Sequence, residues 1–268
     1  MTPGLLPAAD RDLVKVLQKR LASQMAAILL QTTVKSLKVQ KNGIKTVLEG
    51  PDVGQNARIF DKVLLAVGRR PNSAGLGLAN TSIEVDGRGF ITVDAQRRTA
   101  EKHIFAIGDV AGEPMLAHKA SHEGRVAAEV IAGHQVAYEP AAIPAVVFTD
   151  PEIAWVGLTE KEAADRSIAH KVVRFPWAAS GRAATLARDD GLTKLVIDPQ
   201  SERIIGMGIV GSGAGEMISE GVLAIEMGAN VTDVGLTIHP HPTLTETIME
   251  AADLFHGTAT HFYQSKRK

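Results

Sequence analysis

Residues 98–124, RTAEKHIFAIGDVAGEPMLAHKASHEG, decide the fold. An apolar run, HIFAIGD (103–109), ends at Gly108-Asp109, and a loop follows with Gly112 and Pro114. A helix then opens near Met115-Leu116-Ala117-His118 and stops at Gly133. A carboxylate at a strand end accepts hydrogen bonds from sugar-alcohol hydroxyls. The helix start offers bare N–H groups and the positive end of the dipole to a ligand atom that carries or develops negative charge. Ala117, Ala120, Gly124, Ala127 and Ala128 keep one side of this helix thin. Spacing alone leaves two readings open: a cofactor cradle, or close helix–sheet packing with Asp109 as a loop cap.

Working back towards the N-terminus, Leu13, Val16, Leu17, Leu21, Met25 and Ile28 recur on one helical face, so a helix is expected over 10–30 with Asp10 as N-cap. Strands are expected at 34–39, 44–49 and 62–67, with Lys41-Asn42-Gly43 turning the first into the second. The run KVLLAVG (62–68) has the pattern of a strand buried on both faces and stops at Gly68-Arg69-Arg70-Pro71-Asn72, where a domain boundary is expected. Gly68 reads either as a turn glycine or as a point of close backbone approach to a ligand. A helix with three strands is too little for a free-standing nucleotide domain. Between 73 and 142 the sequence predicts a loop, a short strand FITVD (90–94), the HIFAIGD strand and the helix over 116–131.

Towards the C-terminus, strands are expected near 145–148, 155–157 and 171–175, followed by a hairpin of 193–197 with 204–210 and then helices. Thr159 with Glu162 three residues on is a capping-box start for a helix near 159–165. This mixture is an α+β unit. Gly211-Ser212-Gly213-Ala214-Gly215-Glu216 fails the dinucleotide fingerprint because Glu216 stands where glycine is required, so a structural cap is expected there. His118 and His122 share a helix face without a third ligand of sensible spacing, and no metal site is expected. In HPHPTLTE (239–246) Pro240 and Pro242 stiffen the chain that carries His239 and His241. Glu246 then has two readings, a capping-box carboxylate paired with Thr243, or the partner that orients the His241 imidazole.

Bulk properties narrow the function classes. The 268 residues carry a formal net charge of −1, which supplies no field for nucleic acid or an anionic membrane; the basic end Lys266-Arg267-Lys268 reads as a solvated terminus. There is no apolar window long enough to span a bilayer and no secretory leader, so a soluble cytoplasmic protein is expected. Cysteine is absent, which removes disulfides, thiolate metal sites and thiol catalysis from what the chain does alone.

The full wording of these motifs resembles the flavin-dependent pyridine-nucleotide disulfide oxidoreductases. Residues 98–124 resemble the family's second FAD-binding segment, LLAVGRRPN (64–72) the strand and turn that close its NAD domain, and FTDPEIAWVGLT (148–159) with FPWAASGRA (175–183) its interface domain. IHPHPTLTE (238–246) is similar to the IHxHPTLxE segment of the dihydrolipoamide dehydrogenases within it, a pairing that glutathione- and mercuric-reductase relatives lack. The resemblance implies an α/β plus α+β architecture: the end of an NAD-binding domain (1–72), a central FAD-contacting segment (73–142) and a C-terminal α+β dimerisation domain (143–268). It implies that Asp109 holds the ribityl chain, that Met115, Leu116, Ala117 and His118 line the flavin, and that Gly68 approaches NAD. His241 is implied as the catalytic base, Glu246 as its orienter and His239 as a structural neighbour. It further implies a homodimer that oxidises a dihydrolipoyl group on the lipoyl-bearing subunit of a 2-oxoacid dehydrogenase complex. The family's N-terminal FAD fingerprint, redox cysteine pair and Gly-rich NAD loop do not occur in these residues. The chain alone is therefore expected to be inactive, with a non-catalytic dimerisation module as the alternative role.

Overall fold

The computed structural model describes residues 2–263, so the basic end at 266–268 lies outside the described residues. Two compact units are present, Met1–Val63 together with Ala141–Lys268, and Leu64–Pro140. No helix among the described residues is long and apolar enough to cross a membrane.

The first unit is built on a five-stranded antiparallel sheet in the order β4-β5-β8-β7-β6, from β4 (Ala145–Val147), β5 (Glu152–Gly157), β6 (Lys171–Pro176), β7 (Leu192–Ile197) and β8 (Ile204–Gly211). Both faces are covered, which is why β7 and β8 are buried almost throughout. On one face, Ala154, Val156, Leu195, Met207 and Ile209 pack with α5 (Ala214–Glu226), α6 (Val231–Leu236) and α7 (Glu246–His256). On the other, Ile153 and Val210 pack with Leu13, Val14 and Leu17 of α1 (Arg11–Ala22). Ile153 and Ala154 thus serve opposite cores, the period-two alternation of a strand. A Cβ on Gly208 would lie 2.6 Å from Leu13, so glycine lets α1 approach the sheet closely.

The helix expected over 10–30 stops at Ala22, and Asp10 does not cap it. Its carboxylate instead accepts the Glu160 and Lys161 N–H groups at 3.0 and 3.3 Å, the first turn of α3 (Glu160–Asp165). The expected capping box of Thr159 and Glu162 is present at the same helix start. Fully buried Lys194 on β7 meets Asp10 at 2.8 Å, Asp12 at 3.0 Å and Glu160 at 2.7 Å, and Arg174 pairs with Asp12 and Glu160. This charge cluster ties α1 to the sheet, so Asp10 at the start of α1 is held by a residue 150 positions away.

A separate antiparallel sheet, β1 (Thr33–Gln40), β2 (Gly43–Glu49) and β3 (Ala57–Phe60), contains the expected hairpin. The strand expected at 62–67 does not form: Leu64, Leu65 and Val67 are exposed and no described strand pairs with them. A strand buried on both faces exists only through its neighbours, and its own apolar sequence cannot supply their hydrogen bonds. The same holds in the second unit, where FITVD and HIFAIGD make only isolated bridges, Val85 with Ile91 and Arg98 with Phe105. The helix predicted there is present as α2 (Ala117–Ile131).

Candidate functional site

The start of α7 is pinned to the sheet by a buried hydroxyl chain. Trp177 Nε1–H donates to Thr193 Oγ1 at 2.9 Å, Thr193 meets Thr247 at 2.8 Å, and Thr247 donates to the Leu244 carbonyl at 2.7 Å. Trp177 is completely buried, a core role. On this support Glu246 Oε1 lies 2.9 Å from His241 Nδ1 while Oε2 accepts the Thr243 N–H at 2.7 Å. One carboxylate therefore meets both alternatives left open by spacing, holding the loop N–H as a cap does and the imidazole as an orienter does. The Thr243 hydroxyl does not complete a capping box; it donates to the Pro240 carbonyl.

Because an ionised carboxylate only accepts, this contact directs the His241 proton to Nδ1 and leaves Nε2 as the exchanging nitrogen of a 72% exposed side chain. Burial pushes the Glu246 carboxyl up, but the Thr243 N–H, the His241 hydrogen bond and the charges of His241 and His261 together hold it below the usual carboxylate value. His239 is different: it is nearly buried, with Nε2 on Glu220 at 2.7 Å and Nδ1 on the Thr237 carbonyl at 2.8 Å, so neither nitrogen is open.

His241 and Glu246 line a cleft of about 90 Å³ with Phe175, Ser180, Glu250 and His261. His261 and Glu250 were not singled out in the sequence, yet His261 Nδ1 lies 2.6 Å from Glu250 Oε1. The available signal was Glu250 four residues after Glu246, on the same face of α7.

In the second unit, Asp109 sits in a 3₁₀ turn, Gly108–Val110, beneath which lies an unpredicted ionic framework. Glu123, completely buried on α2, accepts the Gly108 N–H at 2.6 Å, Arg97 at 2.8 Å and Lys119 at 3.0 Å. Lys119 also donates to the Gly108 and Gly112 carbonyls. The i,i+4 spacing of Lys119 and Glu123 was its only sequence signal. Gly108 has φ +72° and a Cβ there would press on Ala120, so glycine is required at the turn. Asp109 is ion-paired with Arg69, which also reaches the Met115 carbonyl at 3.3 Å.

Met115 and Leu116 are half-buried, while Ala117 and His118 open α2 in exposed positions. The α2 start has no side-chain cap and no acidic residue in its first turn. At α5, by contrast, Glu216 lies in the first turn, and it is Glu152 of β5 that accepts the Gly215 N–H, at 2.9 Å. The positive end of the α2 dipole, without an acidic residue in its first turn, the adjacent Asp109 carboxylate and the thin Ala117–Ala120–Gly124 side fit a flavin with its polyol chain. Gly68 has φ +111° and no described atom within 4 Å of a Cβ built on it, a bare backbone that fits close dinucleotide approach. His122 packs its ring against Tyr138, and no group of three His, Cys, Asp or Glu among the described residues is arranged to hold a metal.

Comparison with known proteins was consistent across sequence and structure. Residues 143–252 match the pyridine nucleotide-disulphide oxidoreductase dimerisation domain, and residues 1–124 match the pyridine nucleotide-disulphide oxidoreductase domain. The chain is 49% identical to the dihydrolipoyl dehydrogenase of Vibrio cholerae, over 100% of this chain and 56% of that protein. It is 46% identical to the dihydrolipoyl dehydrogenase of Thermus scotoductus, over 97% of this chain and 56% of that protein. Among solved structures it is similar to LpdA from Mycobacterium tuberculosis, with TM-score 0.86 at 26% identity, covering 95% of this chain and 55% of that one. The HOCl-induced flavoprotein disulfide reductase RclA from Escherichia coli gives TM-score 0.86 at 26% identity, covering 94% and 57%. The chain thus spans about half the length of the curated relatives it matches.

Proposed function

Because the chain belongs to the pyridine nucleotide-disulphide oxidoreductase family, we propose that it supplies the proton-handling, flavin-contacting and dimer-forming half of a cytoplasmic dihydrolipoamide dehydrogenase. The observation that carries this reading is the 2.9 Å contact between His241 Nδ1 and Glu246. It leaves Nε2 to take the proton of a thiol, after which the carboxylate stabilises the imidazolium. The chain contains no cysteine, so the sulfur that this base serves comes from outside these 268 residues. The names of the relatives favour a dihydrolipoyl substrate over glutathione or mercuric ion. The sequence resemblance implies the lipoyl-bearing subunit of a 2-oxoacid dehydrogenase complex as the carrier of that group.

Asp109 would hold the flavin's polyol chain, and Met115, Leu116, Ala117 and His118 would line its ring, while Gly68 would admit NAD close to the backbone. Bound FAD supplies two-electron transfer between the dithiol–disulfide couple and NAD. Arg69 pairs with Oδ2 of Asp109, so Oδ1 is the oxygen that would take a polyol hydroxyl. The domain roles follow: 1–72 as part of the NAD-binding domain, 73–142 as the FAD-contacting segment and 143–268 as the dimerisation domain.

In an assembled enzyme containing these residues, His241→Gln is expected to lower dihydrolipoamide-dependent NAD reduction by about 10²- to 10⁴-fold, the range for a positioned general base. Full turnover by that variant overturns the assignment.

A dimerisation role, catalytic or not, has its own support. Phe148, Leu223, Met227, Leu236 and Ile238 are large, exposed and within the segment matched by the dimerisation-domain model. Sedimentation of the chain as a dimer is expected, and a monomer at micromolar concentration would remove that part of the reading.

A further inference from the structure

The cleft beside His241 holds a second imidazole in the same relation to a carboxylate. Glu246 and Glu250 stand one helical turn apart on α7, and each meets a histidine Nδ1, His241 at 2.9 Å and His261 at 2.6 Å. Glu250 is the more deeply held, with its side chain 3% exposed, and it also accepts the Thr260 and His261 N–H groups at 3.1 and 3.2 Å. These three donors come from the segment after Gly257, whose left-handed φ of +78° ends α7 and turns the chain. The His261 side chain is 53% exposed and lines the same cleft as His241.

We propose that His261, oriented by Glu250, is a second proton-accepting imidazole of this cleft, electrostatically coupled to the His241–Glu246 pair and matched to a substrate with two neighbouring thiols. At either imidazole the step is the same. A thiol S–H bond breaks, an N–H bond forms at Nε2, the electron pair stays on sulfur as thiolate, and no electrons change hands. Each neutral imidazole, already N–H at Nδ1, accepts one further proton at Nε2, so a dithiol losing two protons is served by two acceptors.

The charged groups around the cleft leave these four side chains as its titrating set. From β6, Arg174 turns to Asp12 and Glu160, and Lys171 reaches the Phe255 carbonyl. From α4 (Gly181–Thr185), Arg182 bonds Thr185. On α7, Asp253 is pushed up by burial and by Glu250, and His256 contacts Thr232. The His261 charge acts on Glu246, which it helps to hold in its ionised form.

Imidazole NMR titration of the 268-residue chain tests the coupling. His261→Gln removes a cation and leaves Glu250 uncompensated, so the His241 midpoint is expected to rise. Glu250→Gln removes an anion, so it is expected to fall. Each shift is about half a pKa unit, the effect of one charge a helical turn away through water. Structural disturbance alone does not produce opposite signs from two neighbouring substitutions. An unmoved His241 midpoint, or movement in the same direction in both variants, overturns the proposal. The inference rests on the proposed role of His241 with Glu246, and Glu246→Gln separates the two. If that variant lowers the His241 midpoint while the other two leave it unmoved, only the second pair fails. If Glu246→Gln also leaves it unmoved, both readings fail.

Discussion

Replacing Glu123 by alanine should unfasten the turn that carries Asp109 while sparing the other compact unit. The carboxylate is completely buried and is shared by Lys119, Arg97 and the Gly108 N–H. Its removal leaves a 4% exposed ammonium and a 12% exposed guanidinium facing a void, with an N–H that has lost its acceptor. Breaking a buried ion pair from one side costs about 3–5 kcal/mol, and an orphaned buried donor adds about 1–3 kcal/mol. Part of this is recovered, because Lys119 keeps the Gly108 and Gly112 carbonyls and Arg97 keeps the Asp94 carbonyl and the Tyr138 ring. A net loss of about 4 kcal/mol is therefore expected, close to the whole stability of a small unit. Read by amide hydrogen exchange, this is about a thousandfold loss of protection across α2, with β7 and β8 unchanged. A Glu123→Leu, Lys119→Met double variant should recover more than half of the loss, because it removes the uncompensated ammonium together with the carboxylate. Protection within about tenfold of the parent, or equal loss in β7 and β8, refutes the reasoning.

Lys194→Met removes the buried cation that three carboxylates share and should cost about 3 kcal/mol, seen as a melting temperature lower by about 6–12 °C. Burial raises the Asp12 carboxyl, but hydrogen bonds and charges from Arg174 and Lys194 hold it below its ordinary value. Its contribution is therefore present above about pH 4 and is lost as the pH falls further, so urea midpoints between pH 6 and pH 3 should drop less steeply in Lys194→Met than in the parent. Glu123→Gln should lower the ionisation midpoint of Tyr138, which burial and then the Glu123 charge hold up; absorbance titration of the phenols reads this directly. Gly211→Ala places a methyl against the Trp177 ring at φ +154° and should destabilise the chain by about 1–3 kcal/mol with a changed near-ultraviolet tryptophan signal.

Elements whose order is local were legible from the sequence. The β7–β8 hairpin, the capping box at Thr159 and, in the second unit, the helix after the Gly108-Asp109 turn rest on turn chemistry, capping and periodicity. HPHPTLTE could be read as carrying a base and its orienter only through its wording, since the Thr243-x-x-Glu246 spacing alone favoured a helix cap. Family membership likewise followed from the motifs and their order. Tertiary structure decided what depends on distant partners. KVLLAVG looked like a buried strand, yet a strand's hydrogen bonds belong to its neighbours, and none of the described strands adjoins it. Asp10 looked like the cap of its own helix, but the fold brings the α3 start and Lys194 against it, and those donors take the carboxylate. Glu246 proved able to hold a loop N–H and an imidazole at once, because its two oxygens face different partners. His261 reached the cleft only because Gly257 turns the chain back along α7 onto Glu250, a contact of folded geometry that no spacing rule joins to His241.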